Sequence, residues 1–288
     1  METVKRNERT LAWDCYGDPA GRPLYVFHGF PGSGRQAALI EAPARRLGVC
    51  LVAIDRPGFG HSTRDPRRTI LGFAQDVAVV ADARGDKRFG VLGISCGGPY
   101  ALACAYEWPA RVRYTGLMAG VGPMERPDAK RGQLPMLRML FALARLHRAL
   151  PAPILALDRA LFLRDPDRAL ASLAKLLTPP DRELLARDPE ARATFAASFV
   201  DAYRQGIGGA LDEARLIALP RGFAPEAIRA PVHVYQGALD RHVPPAMGRY
   251  LAQALPQGRL HFHTASGHLS IVRDAADTAL GHFLEEFR

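Results

Sequence analysis

Residues 90–100 read GVLGISCGGPY. Ser95 stands between Gly93 and Gly97, with Ile94 and Cys96 as the intervening residues. An apolar run, Phe89–Gly93, leads in, and a helix-like run, PYALACAY, leads out. A serine at a strand-to-helix junction with glycine flanks matches the G-x-S-x-G elbow. Such a serine holds a strained backbone, and side chains at the flanks would strike neighbouring main chain. The helix that follows directs its amides and dipole at the serine oxygen, where negative charge could develop. The competing reading is a small residue in a tight turn, which a lone G-x-S-x-G match does not exclude.

The surrounding chain supplies the context that the motif needs. Strands are expected at Thr10–Tyr16, Pro23–Phe27, Val49–Ile54, Phe89–Gly93 and Tyr114–Ala119. Helical spacing marks Gln36–Leu47, Thr69–Ala83 and Pro99–Glu107 between them. Continuous apolar strands alternating with helices predict an α/β fold with a mostly parallel central sheet and helices on both faces. From Pro123 to Pro220 no strand is legible, and Leu/Ala/Arg helices punctuated by prolines take over. The rhythm returns with strand Val232–Tyr235, helix Pro245–Leu255, strand Leu260–His263 and helix Leu269–Phe287. The expected organisation is a core of residues 1–122 and 223–288 interrupted by a helical cap, 123–222.

A serine hydroxyl needs a base to become nucleophilic, and the base is a histidine oriented by a carboxylate. Of nine histidines, His268 in TASGHLS follows the last expected strand, on the edge where the elbow lies. His261 and His263 sit within that strand, His147 and His282 on helices, and His28 ahead of the Gly29 loop. Asp240, in the loop of VHVYQGALDRHVPP, is the candidate acid; its plainer reading is a turn or capping aspartate. Two main-chain amides, those of Cys96 and of Phe30 in the HGFPGSG loop, are the candidate oxyanion donors. A dinucleotide-type reading of that loop fails on spacing, because GFPGSG does not match G-x-G-x-x-G.

Taken together, HGFPGS, IDRPGFGHS, GISCGGPYALACA, GALDRHVP and SGH resemble the α/β-hydrolase superfamily in order and spacing. The resemblance covers nearly the whole chain except the helical insertion, which falls where that family carries its cap. It implies Ser95 as nucleophile, His268 as base, Asp240 as orienting acid and the Phe30 and Cys96 amides as oxyanion hole. It implies no cofactor and no metal. A serine at the elbow argues against epoxide-hydrolase and haloalkane-dehalogenase relatives, which use aspartate there. Serine esterases, lactonases, carbon–carbon bond hydrolases and proline iminopeptidase-like enzymes remain. The expected function is hydrolysis of an ester or related acyl bond in a small, largely apolar substrate. A peptidase, a carbon–carbon hydrolase or a ligand-binding receptor of the same fold is the alternative.

GGPYALA points toward the iminopeptidase-like group, which holds a substrate amine with cap carboxylates. Glu183, Asp201, Asp212 and Glu213 are the candidates here, against the plainer reading of solvated helix residues. The cap aromatics Phe141, Phe162, Phe195 and Phe199 read mostly as packing, with a minority lining a pocket. His61 is expected to hydrogen-bond within its own loop.

Composition excludes other classes. The 288 residues are 48% apolar and 23% charged, ordinary for a globular protein. The net charge of +9 comes from arginines scattered along the chain, with lysine only at positions 5, 87, 130 and 175. Dispersed charge is unlike a nucleic-acid interface. The four cysteines show no metal-ligand or secreted-framework spacing. No signal-peptide core or membrane-length apolar run is visible, so a cytoplasmic protein acting on a small molecule is expected. A homodimer is left open.

Overall fold

The computed structural model describes residues 1–287. Its eight strands are β1 (Glu2–Arg6), β2 (Arg9–Gly17), β3 (Arg22–Phe27), β4 (Val49–Ile54), β5 (Phe89–Ile94), β6 (Val112–Met118), β7 (Val232–Gly237) and β8 (Gly258–His263). They form one sheet in the order β1-β2-β4-β3-β5-β6-β7-β8. β1 and β2 are antiparallel, and every pairing from β4 to β8 is parallel. All residues of β4, β5 and β7 are buried. This is why β4 and β5 read as unbroken runs without a polar side chain: both faces of the sheet are covered.

The helices are α1 (Glu41–Arg46), α2 (Ile70–Arg84), α3 (Gly98–Glu107), α4 (Pro135–Leu146), α5 (Ala152–Arg164), α6 (Pro166–Ala174), α7 (Pro179–Arg187), α8 (Pro189–Ala202), α9 (Gly208–Ala218), α10 (Pro245–Ala254), α11 (Ser270–Asp274) and α12 (Ala276–Glu286). Within the helical region the prolines mark beginnings. Pro166 and Pro189 follow Asp165 and Asp188, whose side chains cap the amides of Arg168 and Ala191 at 3.0 and 2.8 Å. Proline is tolerated at a first helical position because its missing N–H would have no intrahelical partner there. α8 packs on the 3-10 turn Gly34–Ile40, and α7 packs on α11. The helical layer therefore rests on the loops at the carboxyl ends of the strands.

Three expectations need correction. The helix expected over Gln36–Leu47 is a 3-10 turn, Gly34–Ile40, followed by α1. β1 lies outside the expected strands, because ETVKR is a polar edge strand with little burial and thus little hydrophobic signal. The single helix expected over Leu269–Phe287 is instead two, α11 and α12, separated at Ala275. Among the described residues no helix is long and apolar enough to cross a membrane.

The chain leaves β3 toward β4 on one side, and β5 returns to the other side of β3. Such a reversal opens a crevice at the carboxyl ends of the strands. The loop after β3 and the turn after β5 meet there.

Candidate active site

β5 passes into α3 through a single turn of 3-10 helix, Ser95–Gly97. Ser95 has φ of +52°, in the left-handed region. A non-glycine residue there costs about 1–3 kcal/mol and persists only where its surroundings hold it. The flanks explain how it is held. A Cβ on Gly93 would lie 2.5 Å from the Gly97 carbonyl oxygen, and one on Gly97 would lie 2.1 Å from that of Phe27. The Ser95 carbonyl in turn accepts the Val121 amide at 3.0 Å.

The loop after β3 crosses this turn: a Cβ on Gly29 would sit 3.4 Å from Ser95 Cβ. Side chains fix its course. Gln36 Oε1 accepts the Gly29 amide at 2.7 Å, and Arg56 donates to the His28 and Gly29 carbonyls. Ser198 of α8 accepts the Ser33 amide at 2.9 Å, tying the helical layer to the same loop. The Phe30 and Cys96 amides donate to no turn or loop carbonyl among the described residues.

On the other side of the elbow, β7 and β8 run parallel and deliver Asp240 and His268 to the same edge. His268 Nδ1 lies 2.8 Å from Asp240 Oδ2. Asp240 Oδ1 accepts the amides of His242 and Val243 at 2.8 and 2.9 Å. The aspartate thus does both things open to it: one oxygen closes its turn, the other orients the histidine. A ring that donates from Nδ1 presents the Nε2 lone pair. Among the described residues no hydrogen bond joins Ser95 Oγ to that ring; such contacts are often long before substrate binds.

Burial pulls the His268 pKa down, but the charge and hydrogen bond of Asp240, with a further contribution from Asp181, outweigh it and leave the value raised. His242 stacks on His268 with ring centres 4.8 Å apart. Burial, then the neighbouring His268, push its pKa down to about 3, so it adds no charge near neutral pH. Burial, then Glu213, push the Cys96 thiol up to about 12, which leaves its amide as its contribution to the site.

These shifts give a pH test. Only the neutral imidazole accepts a proton from serine, so kcat/KM is expected to rise with pH along a limb centred above 6.5. Asp240→Asn removes the anion that favours imidazolium. Its limb moves to lower pH, and its plateau falls by about 10⁴-fold. Profiles of both proteins on one ester check this; an unmoved limb would show that Asp240 does not set the histidine's pKa.

Sequence reasoning missed Asp181. This residue of α7 is fully buried. Its Oδ2 accepts the His268 amide at 2.9 Å, and its Oδ1 accepts the amides of Leu269 and Ser270 at 2.9 Å and the Ser270 hydroxyl at 3.0 Å. The helical layer thereby grips the loop that carries the histidine. A local signal was present only as Thr178–Pro179–Pro180–Asp181, a helix start, which does not show that the carboxylate, besides accepting the Thr178 hydroxyl at 3.0 Å, reaches the loop of His268. Asp181→Ala leaves three amides, that of Ser270 buried and those of His268 and Leu269 half-buried, without their acceptor. It is expected to lower kcat/KM by roughly 10²-fold through displacement of the ring. Steady-state kinetics well below the variant's Tm check this, with Asp181→Asn expected to lie between the two.

Three of the four candidate carboxylates of the helical region correct the expectation of solvated residues. Asp201, Asp212 and Glu213 are buried, whereas Glu183 is exposed. Each buried acid meets two arginines: Asp201 with Arg35 and Arg204, Asp212 with Arg64 and Arg148, Glu213 with Arg56 and Arg68. His61 does hydrogen-bond within its own loop, through the main chain. It is exposed, and its main-chain amide rather than its ring donates to Asp55 Oδ2 at 3.0 Å.

The comparisons with known proteins agree with this architecture. Residues 22–275 match the family model described as alpha/beta hydrolase fold. The chain belongs to the α/β-hydrolase fold family and is an enzyme of that family, a hydrolase. It is 30% identical over 282 residues to a 2-hydroxymuconate semialdehyde hydrolase of Pseudomonas sp. (strain CF600), covering 93% of this chain and 88% of that protein. It is 28% identical to the protein of the same name from Pseudomonas putida, over 88% of this chain and 83% of that one. Among solved structures, an esterase from Thermogutta terrifontis superposes with a TM-score of 0.70 at 20% identity, covering 99% of both chains. The enol-lactonase from Burkholderia xenovorans superposes with a TM-score of 0.68 at 19% identity, again over 99% of both.

Proposed function

We propose that this enzyme is a serine hydrolase that cleaves a carboxylic ester or related acyl bond of a small, largely apolar substrate, with residues 123–222 as its cap. The observation that carries the reading is the left-handed Ser95 at the crevice, close to the loop that bears Gly29 and Phe30 and on the same sheet edge as the Asp240–His268 pair. His268 Nε2 takes the Ser95 proton as Oγ attacks the carbonyl carbon. The oxyanion is received by the Phe30 and Cys96 amides, an arrangement in which each donor is worth about 3–4 kcal/mol. The leaving alcohol takes the proton from His268. Water then attacks the acyl-enzyme with the same histidine as base, and the acid and free Ser95 are released.

Two features favour an apolar, uncharged group beneath the cap. Phe30 packs against the cluster of Phe59, Leu140, Leu155 and Leu211. The buried cap acids Asp201, Asp212 and Glu213 are each occupied by arginine pairs and Asp181 by main-chain amides, so none of these four stands ready for a substrate amine, which weighs against a peptidase. A second reading has its own support: the relatives named 2-hydroxymuconate semialdehyde hydrolases suggest a carbon–carbon bond hydrolase of the same triad.

One experiment separates the readings. p-Nitrophenyl esters of increasing acyl length and 2-hydroxymuconate semialdehyde are offered to the same enzyme. Preference for an ester, with an optimum in chain length, supports the first reading and measures the pocket. Preference for the semialdehyde by orders of magnitude in kcat/KM supports the second. Saturable binding without turnover of any of them would overturn both in favour of a receptor.

A further inference from the structure

Away from the crevice, three histidines that the catalytic reading leaves unused converge at the edge of the sheet. His233 lies on β7, His261 on the edge strand β8 and His282 on α12, and one ring nitrogen from each falls within 4.8 Å of the others. His233 Nδ1 and His261 Nε2 are 3.0 Å apart, in rings tilted by only 3°. The ring centres form a triangle with sides of 5.1, 4.6 and 4.6 Å. Three imidazoles on a tetrahedral ion with metal–nitrogen distances of about 2.0–2.1 Å place their ring centres roughly 5 Å apart. We propose that His233, His261 and His282 form a binding site for a borderline divalent cation of the zinc type, with water completing the tetrahedron.

The surroundings are those of a histidine-ligated metal, in which the second ring nitrogen is held by an outer partner. Tyr235 Oη lies 2.8 Å from His282 Nδ1, which leaves Nε2 as the ligating atom, and Tyr114 Oη lies 3.1 Å from Tyr235 Oη. His233 Nε2 faces Glu286 Oε1 at 3.6 Å. The carboxylate of Glu286 also pairs with Arg259 at 2.8 Å, so the cationic group beside the cluster carries its own counter-charge. Metal entry replaces the proton shared between His233 and His261. That proton moves to His261 Nδ1 through solvent, all three rings stay neutral, and no other species is consumed. Small changes in χ1 and χ2 of the half-buried His261 and His282 bring the lone pairs onto the ion. His233 lies at the amino-terminal end of β7, whereas Asp240 follows its carboxyl end. At about 3.3 Å per residue the four steps from His233 to Gly237 put it roughly 13 Å along the strand from the turn that carries Asp240. Its role is to join the edge strand and the carboxyl-terminal helix to the sheet, not to take part in the chemistry.

The test uses tag-free protein stripped with chelator. Zn²⁺ is titrated calorimetrically, and Co²⁺ serves as a spectroscopic probe of tetrahedral nitrogen ligation. The wild type is expected to bind one equivalent of Zn²⁺, to show a tetrahedral Co²⁺ band and to gain in Tm. His261→Gln and His282→Gln, which change half-buried residues on separate elements, are each expected to weaken binding at least tenfold. His268→Gln, in the catalytic pair, is expected to retain it. Circular dichroism without metal verifies that each variant is folded. Absence of saturable binding to folded wild type, or binding unchanged in both edge variants, would overturn the proposal. Loss of binding in His268→Gln alone would likewise overturn it by moving the ion to the catalytic histidine.

Discussion

Ser95→Ala is expected to lower kcat by on the order of 10⁵–10⁶-fold while leaving the fold intact. The size of the effect follows from the unity of a triad: once the nucleophile is gone, base and acid have nothing to activate, and only the oxyanion donors and substrate binding remain. The backbone strain at Ser95 supplies a second readout. Alanine at φ of +52° pays the same conformational penalty as serine, so Tm should move little. Ser95→Gly should be equally inactive, yet more stable by about 1 kcal/mol, because glycine adopts that region without penalty. Kinetics with a p-nitrophenyl ester and thermal melts of the three proteins measure both effects. An active Ser95→Ala protein would remove Ser95 from the chemistry; a Ser95→Gly protein less stable than wild type would show that the elbow is not strained.

The elbow was legible because its physics is local. Glycine at 93 and 97 is dictated by carbonyls within one turn and one neighbouring strand, and the flanking runs identify strand and helix. Asp240 and His268 were legible for a topological reason: parallel neighbours such as β7 and β8 open their loops on one edge, so residues 28 positions apart meet. The charged interior of the helical region was not legible. A helix-period pattern records which residues avoid water on average, and an aspartate inside it reads as solvent-facing. The amides that Asp181 holds lie 87–89 positions away, and Tyr100 and Arg68, which hold Glu213, lie 113 and 145 away. Nothing within a sequence window announces them. The same limit applies to the scattered arginines, whose partners no sequence window identifies.

The second large effect is expected at Glu213. Its side chain and that of Arg56 are wholly buried. One carboxylate oxygen accepts from Arg68 at 2.7 Å and from Tyr100 Oη at 2.8 Å; the other faces Arg56 at 3.0 Å, an ion pair without hydrogen-bond geometry. Truncating one member of a buried ionic cluster costs about 3–5 kcal/mol, because the remaining charges stay in low dielectric without compensation. Glu213→Ala strands two guanidinium groups at once and should lower Tm by on the order of 10 °C. Glu213→Gln keeps the size and one acceptor oxygen but removes the charge, so its loss should be smaller yet clear. The damage should also reach catalysis. Arg56 donates to the carbonyls of His28 and Gly29, and the Phe30 amide is the next donor along that loop. With its counter-ion gone, Arg56 has reason to leave those carbonyls, and kcat should fall more than KM rises, even at temperatures where the variant is folded. Melting curves and steady-state kinetics of both variants decide the matter. A Glu213→Ala protein within about 1 kcal/mol of wild type would mean that the arginines find solvent and that the helical layer is not fastened here. A destabilised protein with unchanged kcat would confine the cluster to stability and separate the fastening of the helical layer from the shape of the loop that bears Gly29 and Phe30.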